Sequence, residues 1–330
     1  MTAESEPLGL LALQLLAEDW MVSVLTGLAD GPIRPAELER GLPHAAHSVV
    51  VRRLRLLLDT ELVSCERQPG VPPHRGSAAV PRRTYYSLTD AGRTLLEVTS
   101  EAHRWEQAWC SQLERGVPPG IVAIGLSANR RTRMIMLALA DGPLSVGDLQ
   151  ARLPELRRST LRRRLSHLIL GGLLEQQEVG RAERYGLTAR ARQLATVAML
   201  AGRWEWQWSR PERVVPGSDL VALVHVIAPM ARVSRPTAGI CQLHLGADRA
   251  AAPDIYLAAA AGSIRTLREA PATLPEAVGR ATPEAWCDAL VQTDRRITVD
   301  GNHTLMLAVL GALNDALRAK PPQTSTPASL

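Results

Sequence analysis

The chain has 330 residues, a net charge of +5 and 46% hydrophobic residues, which suits two or three domains with buried cores. The charge is uneven, since 28 basic and 23 acidic residues precede Gly217 and the remainder has 10 of each. The basic excess in the first two thirds favours a polyanionic partner there.

Several classes of protein are excluded by the same composition. The four cysteines lie far apart without the spacing of a metal or redox site, so we expect reduced core thiols in a cytoplasmic protein. The apolar segment 8–17 is too short to span a bilayer and is followed by Glu18 and Asp19. Lys320 is the only lysine, a preference for arginine that fits a high-GC genome such as that of an actinobacterium.

The chain contains an internal repeat. The sequence ADGP occurs at 29–32 and again 111 residues later, and RRL recurs at the same offset. Further on, YSLT (86–89) matches YGLT, and RWEQAW (104–109) matches RWEWQW, both at an offset of 99. The change of offset indicates that the second copy lacks twelve residues in one loop of a common fold.

Each copy predicts the same elements in chain order. Three helices are followed by a two-stranded hairpin and then by a long helix with Thr89 or Thr188 as its N-cap. Three helices and a hairpin form a winged helix-turn-helix. The predicted helices of the two copies are 20–29 and 132–140, 35–42 and 145–153, and 47–60 and 159–171.

The motifs of the first copy resemble the HxlR-type winged-helix transcriptional regulators. The resemblance rests on WMVSVL, LADGPIRPAELERGLP, VVVRRLRLL and YYSLTDAGRTL, over about residues 8–110. It implies that the helix with RLRLL enters the major groove and that the YSLT strand completes the wing. It is weaker in the second copy, which lacks the glycine matching Gly92. Family members usually carry one such domain and dimerise, so two copies predict a covalent pseudo-dimer.

The third helix of each copy has cations and hydroxyls opposite its apolar stripe, as a reading helix requires. Such a stripe is also typical of a solvated helix face in an arginine-rich protein, but its recurrence at both recognition positions favours DNA. The predicted DNA-binding residues are His47, Ser48, Val49, Arg52, Arg53, Arg158, Ser159, Thr160, Arg162 and Arg163 on the helices, and Arg82, Arg83, Arg181 and Arg184 on the wings.

A tryptophan motif ends the long helix of each copy. Trp105 and Trp109 share one helix face, as do Trp204 and Trp208, while Trp206 lies off that face. One interpretation is a packing surface that joins the two copies. The other is an aromatic platform for a planar ligand, formed by these five residues, with Trp286 lining a further pocket.

From about residue 213 the pattern changes. An alternating strand at 240–246, a hairpin turning at Gly262–Ser263 and two helices predict an α+β domain. Thr282, Glu284, Trp286, Gly301, Asn302 and Leu305 resemble the conserved positions of the sterol-carrier-protein type of lipid-binding fold, which implies an apolar cavity. A dimerisation domain without a cavity is the alternative.

The sequence therefore predicts a mainly α protein with small β wings and a C-terminal α+β domain. The predicted units are a first winged helix at 1–116, a second at 117–212, the α+β domain at 213–320 and a disordered tail at 321–330. The predicted function is a transcriptional regulator of double-stranded DNA, controlled by a hydrophobic or aromatic small molecule, with no cofactor and no membrane partner. It would act as a monomeric pseudo-dimer or a homodimer. The alternative is a small-molecule sequestering protein whose winged helices no longer bind DNA. No phosphate loop, catalytic triad or metal motif supports an enzyme.

Overall fold

The protein is mostly helical in a computed structural model, with small sheets. The described residues are 9–42, 45–68, 83–109, 121–179, 182–209, 217–246, 253–267, 269–291 and 297–318.

The first repeat folds around an apolar stripe on its fourth helix. Val50, Leu54 and Leu57 recur at helical spacing and are almost completely buried. An antiparallel hairpin follows and forms the wing. The elements are α1 (Leu10–Leu16), α2 (Met21–Gly27), α3 (Pro35–Gly41), α4 (His47–Asp59), β1 (Val63–Gln68), β2 (Arg83–Leu88) and α5 (Asp90–Trp109).

The second repeat has the same order, with matching local contacts. Ser145 caps its third helix in a capping box with Asp148, and Thr188 caps its last helix by accepting a hydrogen bond from the Ala191 amide, as predicted. The elements are α6 (Ile121–Ala128), α7 (Arg130–Ala138), α8 (Val146–Arg152), α9 (Arg158–Leu170), β3 (Leu174–Val179), β4 (Ala182–Leu187) and α10 (Ala189–Trp204), after which a π-helical turn covers Glu205–Ser209.

The long helices α5 and α10 pack against each other in antiparallel orientation, because the C-terminal part of each contacts the N-terminal part of the other. Helix α1 crosses α10 closely. A Cβ on Gly9, whose φ is +77°, would lie 2.7 Å from the carbonyl oxygen of Ala198, so only glycine fits at this crossing. The two repeats therefore share one continuous core.

The C-terminal part is an α+β unit with a five-stranded sheet in the order β7-β6-β5-β8-β9, in which β5 and β8 are parallel. The predicted strand and hairpin are confirmed, whereas β8 and β9 were not predicted. The elements are α11 (Gly217–Ile227), a 3₁₀ turn (Ala228–Met230), β5 (Gly239–His244), β6 (Asp254–Ala260), β7 (Ser263–Leu267), β8 (Ala277–Arg280), α12 (Pro283–Val291), β9 (Thr298–Gly301) and α13 (His303–Arg318).

Trp286 occupies the space between this sheet and its helices. Its side chain is fully buried and its indole N–H donates to the carbonyl of His244 at 2.9 Å. A Cβ on Gly279 of β8 would lie 2.6 Å from the indole ring, so the glycine gives the ring its place on the sheet. The prediction that Trp286 lines a ligand pocket is therefore wrong, because the ring is core with no exposed face.

Candidate nucleic-acid interface

Helix α9 presents a row of exposed cations and hydroxyls. Leu161, Leu165 and Leu168 are buried beneath it, so the other side of the helix faces solvent. Spacings of three and four residues bring the polar side chains together along that side. Arg157, Arg158, Ser159, Arg162, Arg163 and His167 are exposed, and Thr160 is half-buried.

Helix α4 presents the corresponding side of the first repeat with fewer cations. Its first turn contributes His47 and Ser48, both exposed, and Val49, which is half-buried. Arg52 and Arg55 follow one turn later and are exposed. The Nδ1 atom of His47 lies 2.9 Å from a carboxylate oxygen of Glu39, which ties the start of α4 to α3. The arrangement leaves an exposed polar face on both recognition helices.

Arg53 is the exception among the predicted residues. Its side chain is buried, with Nε donating to the carbonyl of Asp19 at 2.7 Å and Nη1 paired with Glu18 at 2.9 Å. The prediction that Arg53 binds DNA is wrong, because this guanidinium joins α4 to the segment between α1 and α2. The sequence carried the signal, since residue 53 lies three residues after Val50 and four before Leu57, on the apolar side of the helix.

The wings add one cation whose contact is defined. Arg184 of β4 is half-buried, and its Nη1 donates to the carbonyl of Pro143 at 3.4 Å. Arg82 and Arg181 lie outside the described residues, as does the side chain of Arg83, the first residue of β2. Arg67 of β1, which was not predicted, is exposed on the first wing.

The tryptophans join the two repeats reciprocally. The indole N–H of Trp105 donates to the carbonyl of Arg190 at 2.9 Å, and that of Trp204 donates to the carbonyl of Ala91 at 2.8 Å. Donors and acceptors are each 99 residues apart, so the two bonds are equivalent by the internal repeat. The guanidinium of Arg190 also lies 5.0 Å from the centre of the Trp105 ring.

The predicted aromatic platform is accordingly replaced by a packing surface. Trp105 and Trp204 are almost completely buried, and the half-buried Trp109 donates to the side chain of Gln193. Trp206 is also half-buried, and Trp208 is 39% exposed. The ligand-binding interpretation is wrong for Trp105 and Trp204, because their rings are enclosed and their N–H groups are already bonded.

Two buried glutamates reinforce the same junction and were not predicted. Glu205 accepts hydrogen bonds from the amides of Gly9 and Ala12 at the start of α1, at 3.0 and 2.8 Å. Glu106, 99 residues earlier, accepts from the amides of Val122 and Ala123 at the start of α6, at 2.6 and 3.1 Å. Each repeat thus caps the first helix of the other with a carboxylate at the positive end of the helix dipole.

A buried cation supports the cap that Glu205 forms. Burial lowers the pKa of Arg133 to about 10, while the charges of Asp219 and Glu205 act in the opposite direction. Arg133 lies on α7 and Asp219 on α11, so this network joins the second repeat to the C-terminal unit. The junction is therefore held by polar contacts as well as by packing.

The cysteines differ in environment. Burial raises the pKa of the Cys241 thiol to about 12 and raises that of Cys287 further, so both thiols stay protonated. Cys65 on the first wing is exposed, which corrects the expectation of a core thiol, and Cys110 lies outside the described residues. Over the described ranges, no group of three or more His, Cys, Asp or Glu residues could hold a metal ion.

No single helix in the described part of the chain is long and apolar enough to cross a membrane. Among the helices that the structure describes, the pair α1 and α2, taken together across their bend, meets that test by length and composition.

A family model described as HxlR-like helix-turn-helix matches the chain twice, over residues 15–114 and 126–213. The two matches cover more than half of the chain and follow the two repeats.

Individual relatives match a length close to one repeat. YvaP of Bacillus subtilis (strain 168), an uncharacterized HTH-type transcriptional regulator, is 30% identical over 98 residues, which are 30% of this chain and 82% of that protein. YodB, an HTH-type transcriptional regulator of the same organism, is 31% identical over 99 residues, which are 30% of this chain and 80% of YodB. The solved structure of the reduced form of YodB is 31% identical, covers 30% of this chain and 89% of that chain, and has a TM-score of 0.25.

Proposed function

This chain belongs to the HxlR-like helix-turn-helix family, and from that premise we propose that it is a transcriptional regulator that binds double-stranded DNA through both recognition helices at once. The observation that supports this most directly is the exposed polar face of α9, which recurs on α4 at the recognition position. Basic side chains on such a face neutralise phosphates, while hydroxyls and arginines in the first turns reach base edges.

The residues divide by position on each helix. Side chains near the N-terminus of a recognition helix contact bases, and those placed further along or to the side contact phosphates. We assign Ser48, Val49 and Arg52 of the first repeat to the groove, with His47 beside them. In the second repeat the groove residues are Ser159, Thr160 and Arg163, and the phosphate contacts come from Arg158, Arg162 and Arg184.

One chain contains both recognition helices, so DNA binding needs no second subunit. A conventional dimer dissociates on dilution, whereas two winged helices in one chain stay together at any concentration. The two recognition helices are not identical, because α9 carries more cations than α4. We expect an operator with two unequal half-sites, the second repeat contributing more of the salt-dependent affinity.

The contacts of the C-terminal unit support a role for it in controlling DNA binding. Its helices α11, α12 and α13 all contact α10, the long helix that also contacts α5 of the first repeat. We propose that a hydrophobic or aromatic small molecule shifts DNA affinity by binding one arrangement of the two repeats more tightly than another. The resemblance to the sterol-carrier-protein fold is part of this proposal.

The test is a fluorescence-anisotropy titration of the full chain against the region upstream of its own gene and against a scrambled duplex, over a series of salt concentrations. We expect specific binding about a thousandfold tighter than the scrambled control. The double variant Arg52→Ala/Arg163→Ala should lose this preference. Arg265→Ala, which removes an exposed arginine from β7, is the matched control and should bind like the wild type.

Equal weak binding to both duplexes, with only the salt dependence of phosphate contact, would contradict the proposal. The arginine face would then be a solvated surface. A sequestering protein would be favoured if a small molecule bound tightly to the same preparation.

A further inference from the structure

A cleft of about 570 Å³ lies between the two long helices and the C-terminal unit. Helices α5 and α10 form its walls, and residues at the ends of α12 and α13 close one side. Its volume falls in the range of small-molecule sites, about 300–1,000 Å³. The tryptophan surface described above is not part of its lining.

The cleft lies on the axis that relates the two repeats. Four of its lining residues on α10 are each 99 residues after a lining residue on α5. A site lined by equivalent positions from both halves must lie on or near their pseudo-two-fold axis. The equivalent pairs are Glu97 and Thr196, Ser100 and Met199, Glu101 and Leu200, and Arg104 and Arg203.

The two walls differ in chemistry although their positions are equivalent. The α5 wall carries Glu97, Ser100 and Glu101, while the α10 wall presents Met199 and Leu200 at the positions matching the last two. Leu96, Val291 and Leu317 extend the apolar surface. A ligand would therefore need an apolar body that covers one wall.

The charges of the lining favour an anion. Four arginines and two glutamates line the cleft, namely Arg93, Arg104, Arg203 and Arg318 against Glu97 and Glu101. Arg93 also pairs with Asp90 at 2.8 Å, but both side chains are largely exposed, so an anion in the cleft competes only with a weak ion pair there. Arg203 is almost completely buried and contacts Glu97 at 3.7 Å and Asp288 at 3.3 Å, longer than the 2.7–2.9 Å of a strong charged hydrogen bond. Arg318 donates to the carbonyl of Val291, a bond that leaves its charge unneutralised.

We propose that this cleft is the effector site of the protein and that its ligand is a small organic anion with an apolar body, such as an alkyl or aryl carboxylate. The proposal rests on the proposed regulatory function and adds to it the site and the class of ligand. The apolar body packs against Met199 and Leu200, and the carboxylate binds the guanidinium groups at the rim of the cleft. A ligand on the axis contacts both repeats and α13, so its binding changes the spacing of α4 and α9.

The site is tested first without DNA. The probe is 8-anilinonaphthalene-1-sulfonate, an aryl anion whose fluorescence rises when it is bound, and the competitors are decanoate and the uncharged decanol. We expect decanoate to displace the probe at a concentration about tenfold or more below that of decanol. Ser100→Trp, at an exposed lining position, should narrow the cleft and weaken probe binding. Arg93→Gln/Arg318→Gln should weaken decanoate by about tenfold while decanol changes little.

Arg265→Gln on β7 is the control and should leave both competitors unchanged. Equal displacement by decanol and decanoate, or unaltered probe binding in both cleft variants, would overturn the proposal. If Ser100→Trp fails to fold, as judged by thermal melting, the double arginine variant decides alone.

A DNA-binding experiment distinguishes failure of the effector site from failure of the proposed regulatory function. Decanoate should shift the operator affinity of the wild type and leave that of Ser100→Trp unchanged. If the wild type binds decanoate in the cleft but shows no specific DNA binding, the regulator fails and the anion site stands. If it binds its operator specifically but the cleft variants bind anions like the wild type, the site fails and the regulator stands.

Discussion

The two winged-helix repeats make the same contacts where they meet and differ on the surfaces they turn outward. At the junction, Trp105 and Trp204 donate equivalent bonds of 2.9 and 2.8 Å, and Glu106 and Glu205 cap equivalent helices. Outward, the recognition helices differ in their cations and the wings in their length. The duplicated chain has kept the contacts that hold two halves together, while its reading surfaces have diverged.

The largest difference is expected in DNA binding. The triple variant Arg158→Ala/Arg162→Ala/Arg163→Ala removes three cations from the second repeat. It should weaken binding by about 1–3 kcal/mol for each arginine that contacts a base. The slope of the logarithm of the binding constant against the logarithm of the salt concentration should become shallower by about 0.9 for each arginine that binds a phosphate. Removing Arg52 and Arg55 from the first repeat should lower the slope by less, because Arg52 is assigned to the groove and only Arg55 is then lost as a phosphate contact. Anisotropy at several salt concentrations measures both. Equal slopes for the two variants would contradict the assignment of unequal roles.

The next difference concerns the two buried glutamates. Glu205→Gln should lower the free energy of unfolding by about 3–5 kcal/mol, because it leaves Arg133 buried without that carboxylate charge. It also replaces one of the two oxygens that accept from Gly9 and Ala12 by an amide nitrogen, which cannot accept. Glu106→Gln keeps the same cap geometry and should cost about 1–3 kcal/mol. Urea denaturation of the two variants makes the comparison directly. If Glu106→Gln lowered the free energy of unfolding more than Glu205→Gln, the charge of Arg133 would be balanced mainly by Asp219.

A smaller difference is expected for the two tryptophan bonds. Trp105→Phe and Trp204→Phe each keep an aromatic ring and remove one N–H donor, so each should cost about 1 kcal/mol. Trp105→Phe should cost up to about 0.5 kcal/mol more, since a Phe ring attracts the guanidinium of Arg190 less strongly than the indole does. Thermal melting of the single variants checks which of them is less stable. Identical melting temperatures would show that the cation–π contact does not contribute measurably to stability.

The predictions that succeeded rest on local pattern. The repeated ADGP motif and the apolar stripes placed α2–α4 and α7–α9 within two residues of their observed ends, whereas α1 and α6 were not predicted. Helix periodicity and capping are set by near neighbours along the chain, so a single sequence is enough to detect them. The short strands β8 and β9, with four residues each, gave no such signal.

What the sequence missed depends on partners far along the chain. Ala12 and its acceptor Glu205 are 193 residues apart, a separation that no local pattern can connect. The repetition of Glu between two tryptophans in both copies was the available signal, because a charge placed identically on an apolar face in two copies indicates a buried partner. The cleft was missed for the same reason, since its walls come from three separate parts of the chain.

The smallest difference is expected at the two ADGP turns. Asp141 contacts both His225 of α11 and Arg152, whereas Asp30, at the equivalent position, is exposed. Burial acts to raise the pKa of Asp141, but the hydrogen bonds and charges of His225 and Arg152 outweigh it and lower the pKa below the ordinary 3.8. Asp141→Asn should therefore cost about 0.5–1 kcal/mol at neutral pH, because the site is partly exposed, while Asp30→Asn should cost less than about 0.5 kcal/mol.

The pH dependence of stability tests whether the charge of Asp141 stabilises the protein. A carboxyl whose pKa is lowered by folding stabilises the protein above its ordinary pKa of 3.8 and loses that contribution as pH falls through the lower folded value. The difference in unfolding free energy between the wild type and Asp141→Asn should therefore shrink as pH falls below the ordinary pKa of Asp, whereas Asp30→Asn should show no such trend. Urea titrations of both variants across this range measure it. A difference that persisted unchanged at low pH would mean that Asp141 holds α11 through contacts other than its charge.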